Sequence, residues 1–280
     1  MNIVTALDEL FAARDRLAEP VGLVPTMGYL HEGHLSLVRA AREECASVIA
    51  SIFVNPTQFG PNEDLSAYPR DLPRDLDLLA GEGVDLVWTP SPEIMYPPGF
   101  QTWVMAEEIT RPLEGSMRPG HFRGVTTVVA KLFNAVRPNK AYFGQKDAQQ
   151  AAVIRQMVRD LSYPLEIVVC PILREPDGLA MSSRNVYLNP AERRAATVLY
   201  RALSAAKEAF AGGERHPQEL RRILAETINR EPLARLQYIS CADPDTLQEL
   251  ETPIHGRALL SMAVFVGKTR LIDNIVIRDA

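Results

Sequence analysis

The chain has 280 residues, 46% of them apolar and 23% charged, enough apolar material for one large core or two ordinary ones, which excludes disorder as the default state. A formal charge of -5 excludes a chain devoted to the nucleic-acid backbone, which needs Lys and Arg in excess, so no nucleic-acid partner is expected and any bound anion must be met by local donors. Cys45, Cys170 and Cys241 form no C-x-x-C pair, the N-terminus carries acidic residues where a signal peptide carries basic ones, and no apolar run reaches ~18 residues, so a reducing cytoplasmic setting without membrane contact is expected.

The first predicted element is a helix over Thr5 to Leu17, with Leu7, Leu10, Phe11, Arg14 and Leu17 at helical spacing and Thr5 as its N-cap. From Val21 to Leu173 five β-branched runs, VGLVP, SVIASIFV, VDLVW, KAYFG and LEIVVC, alternate with segments of helical period. Leu35, Val38 and Cys45 share one helical face, as do Leu72, Leu76 and Leu79, and Val125, Val128, Val129 and Leu132. Strand and helix in alternation predict an α/β fold, a Rossmann-like parallel sheet with crossover helices. Asn55 to Tyr68 and Pro90 to Gly124 are Pro/Gly-rich and irregular, the kind of long loop that is functional or mobile. Beyond Arg184, Asn189-Pro190 opens a helix to Phe210, Gly212-Gly213 ends it, and Pro217 starts another. RLQYIS, RALLSMAVFV and RLIDNIVI follow, the last two with no helix between them, which predicts antiparallel pairing. The expected division is a Rossmann-like domain over residues 1–174 and a smaller α+β C-terminal domain over residues 175–280.

The first strand runs into Met27-Gly28-Tyr29-Leu30-His31-Glu32-Gly33-His34, after which a helix begins. A strand, a glycine-containing turn and a helix N-terminus make a phosphate site, because unpaired N–H groups and the positive end of the helix dipole face the ligand. His31 and His34 add side-chain donors, although two histidines can simply occupy a polar turn. Zinc is a weaker reading, since the protease helix motif needs histidines four apart and these are three apart across Gly33.

His31-Glu32-Gly33-His34 resembles the first ATP signature of the class I aminoacyl-tRNA synthetase and nucleotidyltransferase superfamily, and Met181-Ser182-Ser183-Arg184 resembles the second. Together with Val24 to Gly28, Phe53 to Phe59, Gly120 to Val125 and the stretch from Phe143 through Gly144-Gln145-Lys146-Asp147 to Gln150, the set resembles one family, the pantothenate synthetases. Six motifs in order make the match specific.

The resemblance implies a ligase that joins (R)-pantoate to β-alanine with ATP and Mg2+, by way of a pantoyl adenylate. It implies ATP contacts at Met27 to His34, with His34 catalytic, at Gly144 to Asp147, at the Leu173 backbone, and at Met181 to Arg184 in a segment that closes over the triphosphate. His31 and Lys146 join His34 as donors to the phosphates, Asp147 suits a ribose hydroxyl, and Gln58 and Gln150 are the implied pantoate residues, Gln58 also touching β-alanine. Val125, Val128 and Val129 would pack the pantoate methyls or simply the core. Which residues hold magnesium is left open; a homodimer is the implied assembly, and the C-terminal domain is expected to close over the site. Gln145 and Arg184 depart from the glutamate and lysine common at these places, while Lys146 and Arg184 keep positive charge near the phosphates. An adenylyl-transferring nucleotidyltransferase, or a nucleotide-binding relative without catalysis, are the competing readings. His121, His216 and His255 are expected to be loop or surface histidines.

Overall fold

The structure, a computed structural model, describes residues 1–61 and 63–279; Asn62, inside the irregular Asn55–Tyr68 segment, and Ala280 lie outside the described residues. The chain forms two compact units, Met1–Gly144 with Val153–Pro171, and Gln145–Ala152 with Ile172–Ala280.

The first unit is built from β1 (Asn2–Val4), α1 (Leu7–Arg14), β2 (Val21–Thr26), α2 (Glu32–Glu44), β3 (Ser47–Ile52), α3 (Leu72–Gly81), β4 (Leu86–Trp88), the one-turn helices α4 (Pro92–Met95) and α5 (Glu114–Met117), α6 (His121–Val136), β5 (Lys140–Gly144), α7 (Ala148–Asp160) and β6 (Glu166–Cys170). Residues 148–152 of α7 group with the second unit. The strands form an all-parallel sheet in the order β1-β4-β3-β2-β5-β6. Val21, Leu23 and Val24 are fully buried, as strands covered by helices on both faces should be. From β2 the chain steps outward to β3 and β4, then returns to β5 on the other side, so the switch point of the sheet lies between β2 and β5. Open α/β sheets bind ligands beyond the strand C-termini at such a point.

Three details differ from expectation. A sixth strand, β1, pairs with β4 and has three residues, too few to show an alternation. The first helix is shorter and its N-cap is Ala6, not Thr5; the N–H groups of both residues donate to Glu9 Oε2 at 3.1 Å. Its inner face carries Leu10 and the buried Arg14, whose Nε donates to Val136 O at 2.7 Å, while Leu7 and Phe11 are exposed.

The second unit contains α8 (Pro190–Ala195), α9 (Val198–Ala211), α10 (Pro217–Asn229), β7 (Ala234–Ala242), β8 (Arg257–Val266) and β9 (Thr269–Arg278). The three strands are antiparallel in sequence order, and Leu199, Leu203, Leu220 and Leu224 pack on Leu260, Met262 and Val264. The predicted single helix from Pro190 to Phe210 is instead two. Asn189 caps the first, accepting from the N–H groups of Ala191 and Glu192 at 2.9 and 3.0 Å. At the break, Thr197 Oγ1 donates back to Arg194 O at 2.8 Å.

Candidate active site

β2 ends at Thr26, and its Oγ1 donates to Ser51 O at 2.8 Å while accepting from the Gly28 N–H at 3.2 Å, which starts the turn. Gly28 and Tyr29 then both adopt positive φ, +79° and 51°. Glycine takes this region freely, but for tyrosine it costs about 1 kcal/mol or more. Asp75 of α3 offsets that cost. Its carboxylate, 1% exposed, accepts from the Tyr29 and Leu30 N–H groups, each at 2.7 Å. Burial raises the Asp75 carboxyl above the usual carboxylate range, against the pull of those two N–H groups and of Arg74. Arg74 secures the same turn, donating to Leu30 O at 2.9 Å.

The His-x-Gly-His spacing has a local explanation: it is a capping box made of imidazoles. His31 is the N-cap of α2, and its Nδ1 accepts from the Gly33 N–H at 3.1 Å; the Nδ1 of His34, three residues on, accepts from the His31 N–H at 3.3 Å. The ring centroids are 4.0 Å apart with a 37° tilt. A nitrogen that accepts from a backbone N–H holds no proton, so in the neutral ring Nε2 carries it. Both imidazoles are therefore fixed as Nε2–H donors at a helix N-terminus, which suits a phosphate and not zinc, since zinc ligation through Nε2 would want the proton on Nδ1. Glu32 pairs with Arg39 at 2.6 Å on the exposed side of α2.

Gln58 closes a single 3-10 turn, Pro56–Gln58, beyond β3. It is half-buried; its Oε1 accepts from Asn55 Nδ2 at 3.1 Å, and its Nε2 lies 2.9 Å from Met27 Sδ. Two residues implied by separate motifs, Met27 and Gln58, are thus brought together. Val125, Val128 and Val129 are 1%, 6% and 4% exposed and pack in the core.

The other candidate residues belong to the second unit, except Gly144, which ends β5 opposite Cys170. Gln145 to Asp147 form a 3-10 turn that leads into α7, with Gln150 half-buried in the first turn of that helix. Lys146 Nζ is 4.0 Å from Asp147 Oδ1. Asn274 of β9 holds this turn: its Nδ2 donates to Gln145 O at 3.0 Å and to Lys146 O at 2.9 Å, and its Oδ1 accepts from Gln145 Nε2 at 3.0 Å. Beside it, Asp273 makes a two-pronged ion pair with Arg174 at 2.6 and 2.9 Å. Leu173 and Met181 face each other across a short ribbon, Leu173 O accepting from the Met181 N–H at 3.0 Å next to the Arg174–Ala180 bridge. Ser182 then caps the 3-10 turn Ser183–Tyr187, its Oγ accepting from the Arg184 N–H at 3.3 Å, with Ser183 buried.

Sequence reasoning missed Asp75, Asn274 and the surroundings of His121. The last is not a surface histidine: it is 9% exposed and lies in the first turn of α6. A signal was available in each case. Asp75 lies on the Leu72–Leu79 stripe of its helix and His121 on the Val125–Leu132 stripe, so each is a polar residue on a face otherwise marked for burial, and Asp273-Asn274 interrupts an apolar strand.

The geometry can be set beside known proteins. The profile of the family described as pantoate-beta-alanine ligase matches residues 2–276. A pantothenate synthetase from Roseiflexus sp. (strain RS-1) is 64% identical over 277 residues, covering 99% of this chain and 99% of the relative. One from Herpetosiphon aurantiacus is 61% identical, covering 99% of this chain and all of the relative. The crystal structure of pantothenate synthetase from Thermus thermophilus superposes with a TM-score of 0.94 at 51% identity, covering 98% of this chain and 99% of that one. The pantoate-beta-alanine ligase of Francisella tularensis, complexed with a β,γ-ATP and β-alanine, superposes with a TM-score of 0.81 at 38% identity, over 99% of this chain and 97% of that one. With its fold and 98% or more of its residues aligned to these proteins, the chain belongs to the pantoate-beta-alanine ligase family.

Proposed function

We propose that the chain is a ligase that condenses (R)-pantoate with β-alanine, consuming ATP and passing through a pantoyl adenylate, with release of pyrophosphate and then AMP. The observation that carries this reading is the imidazole capping box at the C-terminal end of β2, where backbone acceptance at both Nδ1 atoms leaves two Nε2–H donors at a helix N-terminus. Attack of the pantoate carboxylate on the α-phosphorus spreads negative charge over the phosphate oxygens and the departing pyrophosphate. Donors already in place stabilise that charge without reorganising at the moment of reaction. His34 and His31 donate from the β2–α2 turn; Lys146, Ser182, Ser183 and Arg184 supply further donors. The Met27–Leu30 backbone, Gly144, Gln145, Asp147, Leu173 and Met181 complete the ATP contacts.

Gln58 and Gln150 receive pantoate, because an amide meets a hydroxyl and a carboxylate with both a donor and an acceptor. The adenylate is a mixed anhydride, so it is held away from water until the amine of β-alanine attacks its carbonyl carbon and AMP leaves. Mg2+ arrives with ATP. The phosphates and water can supply most of its ligands, and which side chains join them is left open. No helix among the described residues is long and apolar enough to cross a membrane, and the three cysteines are buried and free, which suits a reducing cytoplasm. A homodimer is the assembly the family resemblance favours, to be read by sedimentation. Incubation with ATP, Mg2+, pantoate and β-alanine should yield pantothenate and AMP in equal amounts; formation of ADP, or sustained AMP release without β-alanine, would contradict this reading.

A further inference from the structure

The motif Gly120-His121-Phe122-Arg123-Gly124-Val125 is not used by the chemistry above, yet it starts α6 directly against the Gln58 turn. A Cβ added to Gly124 would sit 2.4 Å from Thr57 O, so only glycine lets the two backbones approach. Asn55 Nδ2 bridges them, donating to Gly124 O at 3.2 Å and to Gln58 Oε1 at 3.1 Å. His121 Nδ1 lies 2.8 Å from Gln58 O, and His121 Nε2 lies 3.2 Å from Arg118 Nη1. A carbonyl only accepts and a guanidinium only donates, so the imidazole must carry its proton on Nδ1 and leave Nε2 bare. That is the tautomer opposite to His31 and His34. Arg118 is itself fixed by two bonds to Glu63, at 2.7 and 2.6 Å, and its Nη2 also reaches Gln58 O at 3.4 Å. Burial, followed by the Arg118 charge, pushes the imidazole down to about 4, with the Gln58 carbonyl, Glu114 and Glu63 pulling the other way. It therefore stays a neutral donor across the working range.

We propose that this motif is a cradle for the Gln58 turn, with His121 a positioning residue whose Nδ1–H fixes where the Gln58 amide meets pantoate and β-alanine. The proposal rests on the reading that Gln58 binds those substrates. Its test is steady-state kinetics of His121→Ala, His121→Asn and Gln58→Ala. His121→Ala should raise KM for pantoate and β-alanine by about tenfold, the value of one lost hydrogen bond, with KM for ATP within about twofold. His121→Asn places an amide Nδ2–H near the former Nδ1–H and should recover most of that loss. Equal impairment in the Ala and Asn variants, or an ATP KM that rises with the pantoate KM, would overturn the proposal. Gln58→Ala that harms pantoate use beside a silent His121→Ala would overturn the cradle alone; Gln58→Ala with unaltered pantoate use would remove the underlying reading as well. Should the variants fail to fold, 15N chemical shifts of the unsubstituted protein decide: Nδ1 protonated and Nε2 bare from about pH 5 to 8 supports the proposal, and an Nε2–H tautomer overturns it.

Discussion

The turn after β2 and the turn after β5 each leave the end of a parallel strand, and each is pinned by one buried side chain from far along the chain, but with opposite polarity. Asp75 accepts from two N–H groups, at Tyr29 and Leu30. Asn274 donates to two carbonyls, at Gln145 and Lys146. The first turn stores backbone strain at Tyr29 and needs an acceptor to hold it; the second is an ordinary 3-10 turn whose carbonyls need a donor. In both, the anchor neutralises the backbone polarity of the turn. The anchors also differ in charge: Asp75 is a buried acid beside Arg74, Asn274 a neutral amide beside the Arg174–Asp273 pair.

Asn274→Asp should break the second turn most severely. It turns a double donor into an acceptor facing two carbonyls and adds a charge next to Asp273, so urea unfolding should show a loss of ~3 to 5 kcal/mol. Unchanged stability would mean that Asn274 is incidental. Removing the donors themselves should affect both turns alike: His34→Ala and Lys146→Ala should each slow pyrophosphate exchange by ~100-fold to 1,000-fold, or ~2.7 to 4 kcal/mol, with circular dichroism unaltered. A large loss in one and none in the other would show that the two turns do not share the phosphate work.

A histidine held in the opposite tautomer sharpens the contrast. His121 has its folded pKa at about 4 against an ordinary 6.5, so between these values the unfolded chain binds the extra proton. Its stabilising effect is complete above pH 6.5 and is lost as pH falls toward 4, a change of about 3 kcal/mol in all. Comparing urea midpoints of the protein and His121→Asn at pH 7 and pH 4.5 should show the gap narrow at the lower pH; a constant gap would refute a neutral buried His121. The smallest effect belongs to Asp75→Asn. The amide keeps one acceptor for the Tyr29 or Leu30 N–H and turns a donor toward the other, so about 1 to 3 kcal/mol should be lost, with a higher KM for ATP. A loss equal to that of Asn274→Asp would remove the distinction between the anchors.

Much of the sheet was legible because β2, β3 and β5 are apolar runs bounded by turn residues, and the β2–α2 turn because glycine and histidines interrupt the pattern there. Asn189-Pro190 marked a real helix start, as did Pro217. What escaped were partners distant in sequence. Nothing near Asp75 says that it faces a turn more than forty residues earlier, and nothing near Asn274 names Lys146. Local pattern flags such residues as polar groups on buried faces, but only the fold supplies what they hold. The break at Thr197 was hidden because Ala- and Arg-rich sequence favours helix right across it.

Under the proposed function, the imidazole capping box serves adenylate formation from pantoate, a step complete before the amine is needed. Exchange of labelled pyrophosphate into ATP, measured with pantoate present and β-alanine absent, tests it most directly. The expected result is exchange that depends on pantoate and proceeds without β-alanine. Exchange that requires β-alanine, or that runs equally well without pantoate, would contradict it.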